Sequence, residues 1–174
     1  SKIGSLKKVF PGGSAHHGEE GASFEGCNLC LVEIRGREGL FQSCGTIAED
    51  GMSIRTDSSE LQKAREENLA RILESHPHAC LVCEQAEGCD RKLCSIHVPE
   101  PERCCFKFGI CELQKLTEFI GVGKGLPPYQ PLDVPVVDSE PLIRRDYNLC
   151  IGCMRCVRVC KEVIGVDALG FTVE

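Results

Sequence analysis

Apolar positions along this chain come in short bursts rather than long runs. After Cys30, Leu31-Val32-Glu33-Ile34 alternates and predicts a strand. Leu40 to Ser43 and Met52 to Thr56 predict two more, set off by Gly36, Gly39 and Gly51. At Asp57 the period changes. Asp57-x-x-Glu60 reads as a capping box, and Leu61, Ala64, Asn68, Leu69, Ile72 and Leu73 then follow helical spacing. His76-Pro77 stops that helix near Ser75, because the residue before a proline is steered out of the helical region. Cys80 to Cys111 shows no period and reads as loop. Glu112 to Ile120 predicts a short helix ended by Gly121. Residues 121–141 are crowded with Gly and Pro and predict a connecting segment. A last helix is expected from about Met154, stopped by Gly165. Residues 1–26 have no clear period.

Such short elements cannot bury a large core, and the composition says what else holds them. The 174 residues include 14 Cys, 18 Gly, 9 Pro and no Trp. Small loop-rich units of this kind are commonly held by metal or disulfides. The net charge of −6 leaves no basic stripe for phosphates and argues against a nucleic-acid partner. No apolar run is long enough for a transmembrane segment. Ser1 to Leu6 lacks the apolar core and cleavage site of a secretory signal. The cysteine load fits a reducing, anaerobic cytoplasm.

Disulfides, zinc and iron–sulfur clusters compete for the cysteines. Secreted disulfide scaffolds are usually shorter than this chain, and paired Cys-x2-Cys units also build zinc sites. Cys150-x2-Cys153-x2-Cys156-x3-Cys160 favours iron–sulfur, since it has the spacing of bacterial ferredoxins. Three cysteines at that spacing wrap the backbone around one cube and aim its amides at the sulfides. The proline that usually follows the fourth Cys is Lys161 here, so closure of this site by Cys160, by another Cys or by sequence beyond this chain stays open.

Three further groups carry chemistry. Cys27-x2-Cys30-x13-Cys44 suits the last three ligands of a plant-type [2Fe–2S] site. No Cys precedes Cys27. His16 or its neighbour His17 as fourth ligand, a site without its cluster, and a first Cys outside this chain are the three open readings. His76-x3-Cys80-x2-Cys83-x5-Cys89 suits one His and three Cys on a [4Fe–4S] cube, with His78 a weaker candidate and zinc the alternative. Cys94, Cys104, Cys105 and Cys111 suggest a further cube, with inert core thiols as the alternative. His97 is placed to support it. The expected cofactors are therefore two to three [4Fe–4S] clusters and one [2Fe–2S] cluster.

These residues resemble a family. Gly51-Met52-Ser53-Ile54-Arg55-Thr56-Asp57, the helix Ala64-Arg65 through His76-Pro77, Pro141 to Asp146, and Cys156-Val157-Arg158-Val159-Cys160 are similar to the N-terminal iron–sulfur region shared by three enzyme groups. These are the large electron-transfer subunit of bacterial complex I, [FeFe]-hydrogenases and NAD-linked formate dehydrogenases. The likeness covers about residues 24–93 and 141–174. Two departures stand out. The first [2Fe–2S] Cys is not visible in residues 1–26. The Cys94 to Cys111 insert, running into Cys111-Glu112-Leu113-Gln114, resembles only a subset of related anaerobic subunits.

The resemblance implies a relay of single electrons within a larger oxidoreductase. The expected fold is α+β and loop-rich. It comprises a plant-type-ferredoxin-like β region (1–57), a helical one-His, three-Cys region with an extra Cys insert (58–121), a Pro/Gly-rich linker (122–141) and a bacterial-ferredoxin-like region (142–174). Gly121-x-Gly123-x-Gly125 lacks the strand and helix of a dinucleotide site. A flavin- or NAD-binding electron-transfer subunit and a catalytic oxidoreductase subunit are therefore the expected partners, with no catalytic centre in this chain. The rival readings are the electron-input end of a larger hydrogenase or formate dehydrogenase, and a zinc-held scaffold without redox chemistry.

Overall fold

The computed structural model describes residues 26–89, 91–121, 125–140 and 142–169. They fall into two compact units: Asn28–Pro131, and the described parts of Ser1–Cys27 with Leu132–Glu174.

In Asn28–Pro131, three short strands form an antiparallel sheet in the order β2-β1-β3: β1 Leu31–Ile34, β2 Leu40–Gln42 and β3 Ile54–Arg55. Val32 faces Phe41 and Glu33 faces Arg55 across the ladders. Leu31, Val32 and Ile34 of the central strand are buried, as expected of a strand packed under a helix. That helix is α1, Ser59–Glu74. Its apolar face carries Leu61, Leu69, Ile72 and Leu73, of which Leu61, Leu69 and Leu73 are fully buried. Each contributes about 1.5–3 kcal/mol by leaving water.

The helix starts one residue later than the sequence suggests. Ser58, not Asp57, is the N-cap, and its Oγ accepts the Leu61 N–H at 3.2 Å. The same hydroxyl donates to the Glu33 carboxylate on β1, a tertiary bond that fixes the cap. The second helix, α2, spans Glu112–Ile120 and buries Leu113, Thr117 and Ile120 at spacings of four and three residues. Gln62 Nε2 of α1 donates to the Ile120 carbonyl at 2.6 Å, tying the two helices together. Gly121 ends α2 in the left-handed region (φ 81°), with its N–H on the Thr117 carbonyl at 2.9 Å.

The other unit holds a two-stranded antiparallel sheet, β4 Val137–Glu140 with β5 Ile143–Arg145, bulged between its ends. β4 lies in the stretch that its prolines mark as a connecting segment. Asn148 clamps the preceding chain: its Nδ2 donates to the Val134 carbonyl at 2.8 Å and its Oδ1 accepts the Val134 N–H at 2.9 Å. The Asp146 carboxylate receives both the Asn148 N–H (3.1 Å) and its Nδ2 (2.9 Å). A single helical turn, α3 Arg155–Arg158, runs into a wider π turn at Val159–Val163. Gly165 (φ 75°) follows. No helix of the described residues is long and apolar enough to cross a membrane.

Candidate metal centres

None of the fourteen cysteines forms a disulfide, and most of them lie in three stretches of the chain. The first is beside the sheet. The Ser43 N–H bonds to the Cys30 carbonyl at 3.1 Å, which brings the end of β2 back over the start of β1. Burial pushes the Cys30 thiol up, but hydrogen bonds from the Cys44 amide and thiol and from Ser43 outweigh it and leave Cys30 below its ordinary value. Two side chains of α1 hold the approach to Cys30: Asn68 Nδ2 reaches the Asn28 carbonyl at 3.2 Å, and Arg65 reaches the Leu31 carbonyl at 2.6 Å. Asn28 is left-handed (φ 52°), and its side chain accepts from Gln42 Nε2 at 2.5 Å. His16 and His17, the sequence candidates for a fourth ligand, lie outside the described residues.

The second place follows α1. Cys80, Cys83 and Cys89 line one small pocket, walled by Ile96, Val98 and Phe108. Cys94, which the sequence groups with the later cysteines, lines it too. His76 is not in its wall. The His76 Nδ1 lies 2.9 Å from the Pro77 carbonyl, where it sits as a donor. Burial lowers the His76 pKa, partly offset by that bond, and His78 lowers it further. The ring is therefore neutral, with Nε2 as its unprotonated nitrogen, the form a metal ligand requires. His78 is buried with its Nδ1 3.0 Å from the His76 carbonyl.

The remaining cysteines of the insert are spread apart in role. Cys104 is buried, and its thiol faces the Pro77 carbonyl at 3.6 Å. Burial, with Cys80 beside it, pushes that thiol up to about 12, the behaviour of a core thiol. Cys105 opens the turn closed by the Phe108 N–H, and Cys111 is the N-cap residue of α2.

The third place is the Cys150–Cys160 segment. Burial raises the Cys150 thiol, with repulsion from Cys156 and Cys153 adding to it and the Gly152 N–H opposing. Three thiols close enough to repel, with an amide aimed at one of them, are what a cube needs. Gly152 (φ 67°) and Met154 (φ 63°) are both left-handed and turn the chain around that point. Gly26 packs on the same loop, its missing Cβ 3.8 Å from Gly152 O and from Met154 Cγ. Cys160 is buried in the π turn and accepts the Ala168 N–H at 3.2 Å.

Backbone N–H groups reach the sulfurs throughout: Cys104 N on Cys80 (3.3 Å), Gln85 N on Cys83 (3.4 Å), Arg91 N on Cys89 (3.3 Å) and Val98 N on Cys94 (3.4 Å). Such bonds offset the negative charge of thiolates on a cluster and raise its potential. Among the described residues, no three His, Cys, Asp or Glu side chains converge on a point that would hold a single ion. A tetrahedral zinc draws its ligands to about 2.3 Å from one centre, whereas a cube takes one ligand on each of four irons.

Comparison with known proteins decides between these chemistries. Residues 10–59 match the 2Fe-2S iron-sulfur cluster binding domain, and residues 140–174 match the NADH-quinone oxidoreductase subunit 3, ferredoxin-like domain. The NADH-ubiquinone oxidoreductase 75 kDa subunit of Acanthamoeba castellanii is 32% identical over 146 residues, 84% of this chain. A Bacillus subtilis (strain 168) protein named as a formate dehydrogenase, YrhE, is 34% identical over 79% of it. The crystal structure of an NAD+-reducing [NiFe]-hydrogenase superposes with a TM-score of 0.58 at 27% identity, covering 92% of this chain and 57% of that one.

The chain carries the iron–sulfur region that these oxidoreductase subunits share. The module is an electron-transfer unit with ferredoxin-like [2Fe–2S] and [4Fe–4S] domains, α+β and rich in loops, as its motifs lead one to expect. It spans 18% and 12% of the lengths of the two curated relatives named above.

Proposed function

We propose that this module relays single electrons between a partner that binds NAD(P)H or flavin and a catalytic oxidoreductase subunit. The observation that carries this reading is the pattern of backbone amides on cysteine sulfurs at Cys80, Cys83, Cys89 and Cys160. Those amides fit thiolates that share negative charge with a cluster. The clusters supply one-electron chemistry when bound. The chain's own work is to hold them at fixed separations, to keep water from them and to set their potentials by burial and hydrogen bonding.

Cys30 and Cys44, with Cys27 three residues before Cys30, supply thiolates to the [2Fe–2S] cluster. Cys80, Cys83 and Cys89 supply three to a [4Fe–4S] cube. Cys150, Cys153 and Cys156, with Cys160 next in sequence, supply the C-terminal cube. In sequence, Gly121-x-Gly123-x-Gly125 lacks the flanking strand and helix of a dinucleotide site, and this reading assigns hydride chemistry to a partner.

The division of labour is tested on the anaerobic chain by EPR during a redox titration. Dithionite is expected to develop separate [2Fe–2S]+ and [4Fe–4S]+ signals, while NADH alone leaves the clusters oxidised. Direct reduction by NADH would place a nucleotide site in this chain and overturn the proposal.

A further inference from the structure

We infer that α3 and the π turn after it form the docking face for a small acidic protein that exchanges single electrons with the C-terminal cube. The inference rests on the proposed cube at Cys150, Cys153 and Cys156, and it adds the surface and the chemistry of the partner. An exposed cysteine of that cube, an exposed apolar strip and a run of cations meet on one short segment.

Cys160 is buried and Cys150 and Cys153 are half-buried, whereas Cys156 is exposed. Cys156, Val159 and Val163 follow at spacings of three and four along α3 and the π turn, so they share a stripe. Val159 and Val163 are 47% and 77% exposed, and Ile164 and Val166 just beyond them are 64% and 62% exposed. Four large apolar side chains left in water within eight residues form a patch of the kind that marks a protein contact.

The charge around that patch runs against the rest of the chain. The whole sequence has a net charge of −6, yet from Arg144 to Lys161 it holds Arg144, Arg145, Arg155, Arg158 and Lys161 against the single acid Asp146. The Asp146 carboxylate is turned onto Asn148, from which it receives the backbone N–H at 3.1 Å and Nδ2 at 2.9 Å. Lys161 and Asp167 meet at 3.9 Å on the surface, where solvent screens them. Glu162 is the other acid of the π turn. Arg155 and Arg158 stand one residue before and two residues after Cys156, so positive charge dominates beside the exposed thiol.

A positive rim speeds the encounter with a negatively charged protein and orients it, and a small apolar centre gives a contact that forms and parts quickly. Weak electron-transfer encounters use contacts of this size. The step itself is outer-sphere. The reduced carrier loses one electron and the cube gains it, passing from [4Fe–4S]2+ to [4Fe–4S]+; no bond forms or breaks and no proton moves.

The test uses the full chain, purified anaerobically, with a strongly acidic ferredoxin as the probe and a basic cytochrome c as the control. At low salt the ferredoxin is expected to bind by calorimetry and to slow hydrogen exchange at residues 155–166. In catalytic amount it is expected to speed reduction of the C-terminal cube by dithionite about tenfold or more, and raised salt should remove the gain. Arg155→Glu with Arg158→Glu, checked for wild-type iron content, should weaken binding about tenfold or more. Val163→Ser should weaken it too, without changing its salt dependence, and Arg37→Glu in the other unit should leave it unchanged. Equal binding by the charge-reversed chain, tighter binding of the basic cytochrome, or protection elsewhere overturns the inference. So does a dimer of the chain that Val163→Ser dissociates, which would assign the face to a second copy. If dithionite reduces the cube but ferredoxin neither binds nor speeds it, only the docking face fails; if iron analysis finds no C-terminal cube, the proposed function fails with it.

Discussion

Removing the Asn148 side chain should loosen the C-terminal cube selectively. The Asn148 amide exchanges two hydrogen bonds with the Val134 backbone, at 2.8 and 2.9 Å, and donates a third to Asp146 at 2.9 Å, close in sequence to Cys150. Asn148→Ala deletes all three. A net value of about 0.5–1.5 kcal/mol per bond, reduced because the site is only half-buried and water replaces part of the loss, gives about 2 kcal/mol. At about 1.4 kcal/mol per factor of ten, that is a roughly 30-fold rise in the open population of this segment. Iron leaves a cluster through such local openings. The assay is the rate of iron release to a chelator under anaerobic conditions, with the EPR of each cluster followed in parallel. The C-terminal [4Fe–4S] signal should decay about 30-fold faster, and the [2Fe–2S] signal at the wild-type rate. A change under about threefold would show that the clamp does not position Cys150 and would refute the reasoning.

Other perturbations have equally definite expectations. Leu69→Ala empties a fully buried position in the core of Asn28–Pro131 and should cost about 2–5 kcal/mol, read as a lower denaturant midpoint with an unchanged slope. Gly152→Ala places a Cβ at φ 67° and should cost about 1–2 kcal/mol while disturbing the amide on Cys150, measured as reduced iron retention. Gln62→Leu removes the tie to the Ile120 carbonyl and should cost about 1 kcal/mol, visible as earlier hydrogen exchange in α2.

The legible parts of this chain are those fixed by local pattern. The apolar stripe of α1, the alternation in β1 and the glycine stop of α2 are set by periods of a few residues, and the structure follows them. Where a long-range contact decides, the pattern misleads. Asp57 and Ser58 are both good caps, and Ser58 wins because its hydroxyl also bonds Glu33 on β1. β4 carries no alternation of its own and lies among prolines; its partner β5 makes it a strand. The Cys-x2-Cys spacings point to a metal centre, because neighbours that close converge, but they do not by themselves separate iron–sulfur from zinc. They do not assign the fourth ligand. Cys94 lines one pocket with Cys80, Cys83 and Cys89, and the chain between Cys83 and Cys94 turns through left-handed Gly88 and Arg91, the second a residue type that does not announce such a conformation.

Iron, acid-labile sulfide and zinc per chain, measured on anaerobically purified protein, test the relay most directly. One [2Fe–2S] cluster and two cubes predict about ten irons with as many sulfides and no zinc. Near-zero iron with stoichiometric zinc would contradict the account and leave a metal-held scaffold with no electrons to carry.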